Sequence, residues 1–442
     1  MIADSIHTID FDKYLKRAEN SVLVRPEGRI SKVIGLVAEG DSLGLSVGSL
    51  CLIRGDHGKE IKAEVIGFKE NKALLMPYGD IRGISPGSRI IPLADAPVVK
   101  VGNELLGRVI DGMEQVIDGK GELDLTEEYP LYGQPVNPME RRQIKEPVDV
   151  GVKAINTLMT LGRGQRVCIM AGSGVGKSML MGMITKHTEA DVIVIGLIGE
   201  RGREVKDFVN ETLGEKGLKK SIVVAATSDS PPLVRMRGAY VATAIAEYFR
   251  DQNKNVLLLV DSITRFAMSS RDVGLAAGEP PTSRGYTPSF FVQIPVLLER
   301  AGYLQSGGSI TGIYTVLVEG DDINDPVGDT VRSIVDGHIV LSRALANKGH
   351  YPAIDVLASI SRVMRDVTDD NHMKIRDKAV DLISTYTDAE DMISIGAYVD
   401  GSDPKIDKAK KIMPAINKFL CQHMDVQVSL NEGIKDLKKV LN

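Results

Sequence analysis

The chain has 442 residues, enough for two to four domains at roughly 100–200 residues each. Hydrophobic residues make up 43% and charged residues 26%, an ordinary globular composition that excludes an intrinsically disordered chain. The formal charge is 54 − 59 = −5, which disfavours a nucleic-acid partner, and the longest apolar runs fall far short of the ~18 residues of a membrane span.

The N-terminus and the cysteines bear on the cellular location of the chain. Residues 1–7 lack the basic region and apolar core of a secretory signal, so we expect none. Cys51, Cys168 and Cys421 are widely spaced and odd in number, which predicts a reducing compartment without a zinc or disulfide framework.

The first part of the chain, residues 1–95, consists of short β-like segments separated by turn residues, which predicts a small barrel or sandwich. A barrel that binds single-stranded nucleic acid needs a basic groove with stacking aromatic residues. Here 13 Lys and Arg balance 13 Asp and Glu, so we predict a structural or assembly barrel. The predicted strands are 29–37, 50–54, 63–68, 73–76 and 88–93.

The second part, residues 96–365, alternates apolar strand-like runs with helical segments. One helix is predicted from Pro231 to Asp251, with Ser230 as its N-cap and Pro231 as its first residue. Strands that are apolar on both faces predict a mostly parallel sheet covered by helices on both sides, and so an α/β fold. The predicted strands are 167–170, 192–196, 222–226, 256–260 and 312–318.

The third part, residues 366–442, has no strong strand pattern and is predicted to be a helical domain. Asp403 and Pro404 are predicted to be the N-cap and first residue of one of its helices. The predicted helices are 370–387, 389–395, 405–422 and 431–441.

A phosphate-binding loop is predicted where Ala171-Gly-Ser-Gly-Val-Gly-Lys-Ser178 lies between an apolar strand and an amphipathic helix. Glycines let backbone N–H groups turn toward a polyanion, and the following helix N-terminus adds positive potential. Ala171 replaces the usual first glycine, which is acceptable where its φ is negative. The candidate phosphate-binding residues are Gly172, Ser173, Gly174, Val175, Gly176, Lys177 and Ser178; Lys177 would reach the β- and γ-phosphates, and Ser178 would ligate Mg²⁺.

Two acidic residues are candidates to complete this site. Asp261 ends the apolar run 255–261, and an Asp at the carboxyl end of a parallel strand could hold Mg²⁺ through water. Glu200, in Gly199-Glu-Arg-Gly-Arg-Glu204, could activate the attacking water. From spacing alone, a solvated charged turn is the favoured interpretation of this second segment.

Several blocks together resemble the type III protein-export ATPases, which are relatives of the rotary ATP synthase catalytic subunit. The resemblance implies an N-terminal β-barrel, a central RecA-like ATPase core and a C-terminal helical domain, in agreement with the three-part division. The blocks are Ala171-Gly-Ser-Gly-Val-Gly-Lys-Ser, Gly199-Glu-Arg-Gly-Arg-Glu-Val, Asp261-Ser-Ile-Thr-Arg-Phe-Ala-Met, Gly274-Leu-Ala-Ala-Gly-Glu-Pro-Pro, Arg284-Gly-Tyr-Thr-Pro-Ser, Val318-Glu-Gly-Asp-Asp, Gly349-His-Tyr-Pro-Ala-Ile-Asp and Ile393-Ser-Ile-Gly-Ala-Tyr-Val-Asp-Gly-Ser-Asp-Pro.

The resemblance also implies roles for individual residues. Glu200 matches the general base, and Arg201 is expected to fix Glu200 or the γ-phosphate. Tyr351 matches the aromatic residue that stacks on adenine. Arg362, in Ser359-Ile-Ser-Arg-Val-Met, matches the arginine finger that completes the neighbouring subunit's site.

The family implies ATP and Mg²⁺ as ligands and a homohexameric ring, because one chain holds both the phosphate loop and the finger. It further implies a stator-like regulatory protein at the N-terminus, a central stalk protein, the membrane export gate, and export chaperones and substrates. The location implied is cytoplasmic, peripheral at the inner face of the membrane. A short amphipathic helix, Phe11–Ala18, would meet the regulatory protein or fray without a partner.

Within the family, the phosphate loop and the segment from Arg271 to Pro281 resemble the flagellar branch more than the injectisome branch, which is the first alternative. A rotary ATPase subunit is a second alternative, although Glu200 argues against a regulatory one. The charge-neutral barrel disfavours a hexameric RNA translocase. A scaffold that binds nucleotide without hydrolysis is disfavoured by Lys177, Glu200, Asp261 and Arg362 together.

Overall fold

The computed structural model describes residues 11, 26–55, 58–94, 96–318 and 325–442. The chain divides into two compact units, Met1–Ala96 and Pro97–Asn442. The predicted helix Phe11–Ala18, apart from Phe11 itself, lies outside the described residues. The predicted domain boundaries at residues 95 and 365 stay predictions.

The first unit contains a closed barrel of six antiparallel strands in the order β1-β2-β5-β4-β3-β6. Its interior is apolar, with Ile53, Leu75 and Ile90 fully buried. The predicted single strand 29–37 is wrong, because Gly35 with φ +56° turns the chain into a hairpin. The strands are β1 (Gly28–Ile34), β2 (Val37–Asp41), β3 (Leu50–Arg54), β4 (Glu60–Lys69), β5 (Lys72–Pro77) and β6 (Arg89–Ala94).

The second unit is built on a large sheet in the order β19-β18-β12-β17-β15-β13-β14-β8, in which β16 pairs with β17. The pairs from β18 to β8 are parallel, and β19 and β16 are antiparallel to their neighbours. The strands are β7 (Val98–Val101), β8 (Val109–Asp111), β9 (Glu127–Pro130), β10 (Pro147–Val148), β11 (Leu161–Gly162), β12 (Arg166–Ala171), β13 (Val192–Ile198), β14 (Ser221–Ala226), β15 (Asn255–Asp261), β16 (Gly302–Tyr303), β17 (Ser309–Leu317), β18 (Gly337–Leu341) and β19 (Ile354–Ser361).

Helices cover both faces of this sheet, as predicted. Alternate strand residues such as Ile195 and Leu257 join one apolar cluster with the helix that follows the phosphate loop. On the opposite face, Gly196 lies against Ala242 of a 20-residue helix. The helices are α1 (Lys153–Leu158), α2 (Lys177–His187), α3 (Gly202–Asp207), a π-helix (Phe208–Leu213), α4 (Gly214–Lys219), α5 (Pro232–Asp251), α6 (Ile263–Ala276), α7 (Pro288–Leu298), α8 (Pro326–Ile334), α9 (Arg343–Asn347), α10 (Met364–Val367), α11 (Asp370–Ser394), α12 (Pro404–Leu420) and α13 (Leu430–Val440).

The long helix α5 begins one residue later than predicted. Pro231 is its N-cap, with ψ 150°, and Ser230 does not cap it. The reason is local, because a residue that precedes a proline is driven away from the α region, and Pro231 precedes Pro232.

The C-terminal helices pack into the same apolar cluster as α1. Ala379, Ile416 and Leu437 are buried in it beside Ile155. The predicted break at residue 388 does not occur, since α11 runs unbroken from Asp370 to Ser394. Asp403 caps α12 as predicted, its carboxylate accepting a hydrogen bond from the Lys405 backbone N–H at 2.8 Å.

Among the helices of the described residues, α11 included, none combines the length and apolar character needed to cross a membrane.

Candidate active site

The predicted phosphate loop connects β12 to α2. Ala171 is the last residue of the strand and pairs with Leu317 and Leu341 on either side. Its backbone is therefore extended, and no glycine is needed there. The positive φ angles fall at Gly174 (+77°) and Gly176 (+95°), where a side chain would be strained.

The predicted adenine-stacking residue lies against this loop. A Cβ at Gly176 would lie 3.3 Å from ring carbons of Tyr351, so the ring rests on the last turn before Lys177. The Tyr351 carbonyl accepts a hydrogen bond from the Gln422 backbone N–H at 2.9 Å. The Gln422 side chain in turn donates to the Gly151 carbonyl at 2.7 Å, so Tyr351 is tied to the segment that follows α12 and, through it, to the segment before α1.

The two predicted acids converge on the predicted lysine. Neighbouring strands β12, β17, β15 and β13 are parallel, so their carboxyl ends share one edge of the sheet. The Lys177 ammonium forms an ion pair with Asp261 and lies 3.5 Å from the Glu200 carboxylate. The Thr315 hydroxyl donates to Asp261 Oδ1 at 2.6 Å and so fixes that carboxylate.

Glu200 is not the solvated residue that its spacing alone favours. Its side chain is 17% exposed, and its backbone carbonyl accepts a hydrogen bond from Ser228 N–H at 3.0 Å. Burial, followed by the nearby Asp261 carboxylate, raises the pKa of Glu200 to about 7, although Lys177 acts in the opposite direction. A carboxylate with such a pKa is suited to accept a proton near neutral pH.

A cavity of about 150 Å³ lies at this edge of the sheet and is lined by Ser178, Glu200 and Asp261, among others. Its volume is that of several water molecules, each of which occupies ~30 Å³ in the liquid. A hydroxyl and a carboxylate facing one cavity suit Mg²⁺, which prefers oxygen ligands and keeps several waters. In the described ranges, no cluster of three or more acidic, His or Cys side chains forms a metal site.

The Arg201 guanidinium pairs with Glu204 rather than directly with Glu200, and the role expected for it, fixing Glu200 or the γ-phosphate, stays a prediction. Its side chain is 80% exposed and pairs with Glu204 at 2.8 Å. Glu204 also hydrogen-bonds the Glu200 carboxyl, and this bond lowers the pKa of Glu204. Arg201 therefore acts on Glu200 only through Glu204 in this structure.

Arg362 lies near the amino end of β12, whereas the phosphate loop follows the carboxyl end of that strand. Its backbone N–H donates to the Asp336 carbonyl at 2.9 Å, and the Asp336 N–H donates to the carbonyl of Arg166, the first residue of β12. The phosphate loop begins at the other end of that six-residue strand, about 17 Å away at ~3.3 Å per residue. The structure thus brings Arg362 to a different place from the Lys177 group.

Two further arginines near the loop were missed by the sequence analysis. Arg265 is the third residue of α6, in its first turn; its stem packs on Gly199, and its Nε is buried without a hydrogen-bond partner. Arg343 donates to the carbonyl of Ser173, in the phosphate loop, at 3.1 Å. The spacing of Arg265, four residues after Asp261, could have indicated the first, whereas the second depends on the pairing of β18 with β12.

Family models match three stretches of the chain. The nucleotide-binding domain of the ATP synthase alpha/beta family matches residues 151–361, and the beta-barrel domain of the same family matches residues 30–94. The C-terminal domain of the type III secretion ATPase EscN matches residues 368–439.

Curated relatives match over nearly the full length. The flagellum-specific ATP synthase of Bacillus subtilis is 53% identical, with 93% of this chain and 94% of the relative covered. That of Pseudomonas aeruginosa is 50% identical, with coverage of 94% and 93%. The type 3 secretion system ATPase of Xanthomonas euvesicatoria is 47% identical, with 93% of each chain covered.

Solved structures agree with these relatives. The assembled ATPase EscN of the enteropathogenic Escherichia coli type III secretion system has a TM-score of 0.89 at 45% identity, covering 94% of this chain and 100% of that one. EscN in complex with its central stalk EscO has a TM-score of 0.86 at 44% identity, with the same coverage. The chain is therefore an ATPase that belongs to the family of flagellum-specific ATP synthases and type III secretion ATPases.

Proposed function

We propose that the chain hydrolyses ATP with Mg²⁺ as a homohexameric ring and thereby energises export of flagellar proteins through a type III apparatus. The observation that carries this proposal is the grouping of Lys177 with Glu200 and Asp261 beside the phosphate loop. Arg362 lies near the other end of β12, the strand that leads into this loop. The Lys177 group supplies one part of a hydrolytic site. Arg362 supplies a cation that could complete the site of a neighbouring copy.

In this proposal each residue of the Lys177 group has one task. Lys177 exchanges its carboxylate partners for the β- and γ-phosphates, and Glu200 accepts a proton from the attacking water. Ser178 and Asp261 would hold Mg²⁺, which neutralises charge on the phosphate oxygens when bound. Tyr351 stacks on adenine.

The position of Arg362 supports the ring. The ~17 Å length of β12 separates Arg362 from the phosphate loop of its own chain. In this proposal Arg362 serves a second copy, and a head-to-tail contact that closes gives a ring. The solved EscN structure is of an assembled ATPase, which supports this arrangement.

Partners and location follow from the family. The EscN complex with its central stalk supports a stalk protein for this chain too. We also propose a stator-like regulator, an export gate, chaperones and substrates as partners, with the ring held at the inner face of the membrane.

The ATPase rate per subunit, measured against protein concentration with oligomer size in parallel, tests the ring. We expect the rate to rise as hexamers form. Arg362→Ala should bind nucleotide yet remain about 10³–10⁵-fold slower at concentrations that form rings. A full rate from monomers, or from the Arg362→Ala ring, would contradict the proposal.

The flagellar assignment needs a separate test. Expressed in a Bacillus subtilis strain that lacks its own flagellum-specific ATP synthase, the chain should restore filament assembly, whereas Lys177→Ala should not. Restored secretion in a strain lacking its type 3 secretion system ATPase, without any filament assembly in the first strain, would instead favour the injectisome branch.

A further inference from the structure

The turn at Val335–Asp336 holds Arg362 in place through both its backbone and its side chain. The Arg362 N–H donates to the Asp336 carbonyl at 2.9 Å. Its guanidinium donates to the carbonyls of Val335 at 3.2 Å and Arg332 at 3.4 Å, at the end of α8. Carbonyl groups at a helix C-terminus attract a cation, so the turn defines where the guanidinium lies.

This turn is itself anchored to the first residue of β12. The Asp336 carboxylate accepts hydrogen bonds from Arg166 Nε at 3.1 Å, from Arg166 Nη2 at 3.1 Å and from the Arg166 backbone N–H at 3.0 Å. The Arg166 and Asp336 side chains are 14% and 25% exposed. A two-pronged, largely buried pair of this kind is geometrically specific.

Gln165 adds a second anchor from the same strand end. It is fully buried, and its amide donates to the Asp336 carbonyl at 3.0 Å and to the Ser361 hydroxyl at 3.1 Å. Ser361 precedes Arg362 in the chain, so Gln165 is hydrogen-bonded to both of the segments that meet at the Asp336–Arg362 contact. A Cβ at Gly337 would lie 2.5 Å from the Ile360 carbonyl, which shows how tightly the two segments approach.

We propose that Asp336, with Gln165, is a positioning residue for Arg362. Because Arg166 begins β12 and Gln165 immediately precedes it, the strand that ends in the phosphate loop also positions the guanidinium that the subunit provides to the adjoining site. This inference rests on the proposed function, in which Arg362 serves a neighbouring copy.

Asp336→Ala removes all three bonds to Arg166 and leaves the loop, Lys177, Glu200 and Asp261 unchanged. We expect kcat to fall about 10- to 100-fold, because a displacement near 1 Å of a charge-stabilising group has an effect of that size. The KM for ATP should stay within about twofold of the parent value. Asp336→Asn, which keeps one acceptor for Arg166, should recover part of kcat.

Complementation in mixed rings distinguishes positioning of Arg362 from a general structural role. Two variants carrying different affinity tags are co-expressed and purified through both tags. Asp336→Ala mixed with Glu200→Gln should regain activity, because at about a quarter of interfaces an intact loop meets an intact Arg362. Asp336→Ala mixed with Arg362→Ala should show no activity above that of Asp336→Ala alone, since neither variant supplies a correctly placed Arg362.

The reference mixture is Arg362→Ala with Glu200→Gln. If it recovers while Asp336→Ala fails to complement Glu200→Gln, or if Asp336→Ala complements Arg362→Ala, the positioning role is wrong and the shared site stands. If the reference mixture itself shows no recovery, the shared site fails, and the positioning role fails with it.

A second carboxylate partner of Arg166, Glu299, provides a matched control. Arg166 also pairs with Glu299, which is 36% exposed and has no bond to the Arg362 peptide in the described residues. Glu299→Gln should therefore keep kcat within about twofold of the parent. If Asp336→Ala does not fold, Gln165→Leu tests the second anchor, and normal kcat in that folded variant would overturn the part assigned to Gln165.

Discussion

The Lys177 ammonium lies 3.5 Å from the Glu200 carboxylate, and both side chains are more than four-fifths buried. With Asp261, which is 5% exposed, they form a compact group of one cation and two acids at the carboxyl ends of neighbouring strands. The group contains two carboxyl groups for one ammonium, so Lys177 has two partners that nucleotide phosphates can replace. Glu200 is then left free to face water.

Lys177→Ala should abolish turnover and weaken nucleotide binding, because the two carboxylates would then face the phosphates without a compensating cation. The loss should be larger than that of a surface charge, since buried groups are less screened by solvent. Steady-state phosphate release and equilibrium nucleotide binding measure the two effects.

Lys186→Ala is the matched control on the same helix. Lys186 pairs with Asp425 at the far end of α2, away from the phosphate loop. Its removal should leave turnover within about twofold, because exposed pairs contribute ~0–1 kcal/mol. Turnover in Lys177→Ala comparable to that of Lys186→Ala would exclude Lys177 as the phosphate-binding residue.

The acid limb of kcat/KM should have a midpoint near pH 7. As the proposed base, Glu200 would act in its charged form, and burial together with Asp261 raises its pKa to about 7. Activity should therefore rise with pH through this region as the proton leaves, and it should fall below pH 7 as the carboxylate is neutralised. A pH series of kcat/KM reports groups of the free enzyme.

Glu204→Gln tests this assignment. The hydrogen bond and the charge of Glu204 both raise the pKa of Glu200, whereas Lys177 lowers it. Removal of the Glu204 charge should move the acid limb to lower pH, and Glu200→Gln should abolish turnover. An acid limb that keeps its midpoint in Glu204→Gln would show that another group controls it.

Much of the active site could be predicted from local sequence. The phosphate loop, Lys177 and Asp261 lie where a strand, a glycine turn and a helix start must place them. Local sequence failed at Glu200, because Glu-Arg-Gly-Arg-Glu has the composition of an exposed turn. What buries Glu200 is the order of strands β12, β17, β15 and β13, a property of the folded sheet.

The contacts around Arg362 could not be predicted from local sequence for the same reason. Asp336 and Arg166 are 170 residues apart, and their pairing depends on β18 lying beside β12. Arg265 differs, since it lies only four residues after Asp261, a spacing that is visible in the sequence. A resemblance to the family indicated the role of Arg362 but not what holds it.

Tyr351→Trp should report adenine binding by fluorescence. The chain has no Trp, so the new indole is the sole one, and it would lie on the Gly176 turn as Tyr351 does. ATP and ADP should change its emission, whereas inorganic tripolyphosphate should change it little. Tyr351→Ala should raise the KM for ATP about tenfold with a smaller effect on kcat, since stacking on a base contributes ~1–3 kcal/mol.

Tyr398→Trp supplies the control for this probe. Tyr398 is hydrogen-bonded to Asp407 at 2.9 Å among the C-terminal helices. Its indole should give the same emission with and without ATP. Equal responses from the two probes would mean that the signal reports a global change rather than contact with adenine.

Arg300→Met should destabilise the second unit by about 3–5 kcal/mol, because it leaves a buried carboxylate without its partner. The Arg300 side chain is fully buried and Glu247 is 8% exposed. Arg300 Nε donates to Glu247 at 2.9 Å, and its Nη1 donates to the Leu131 carbonyl at 2.7 Å. The urea midpoint of unfolding measures the loss.

The exposed pair of Arg203 and Asp207 gives the contrast. The Arg203 side chain is 90% exposed, and Arg203→Ala should shift stability by less than about 0.5 kcal/mol. A double variant, Arg300→Met with Glu247→Met, should be less destabilised than the sum of its single changes, since it removes both buried charges. If instead the two changes add, the carboxylate of Glu247 does not depend on Arg300, and the cost of Arg300→Met comes from packing alone.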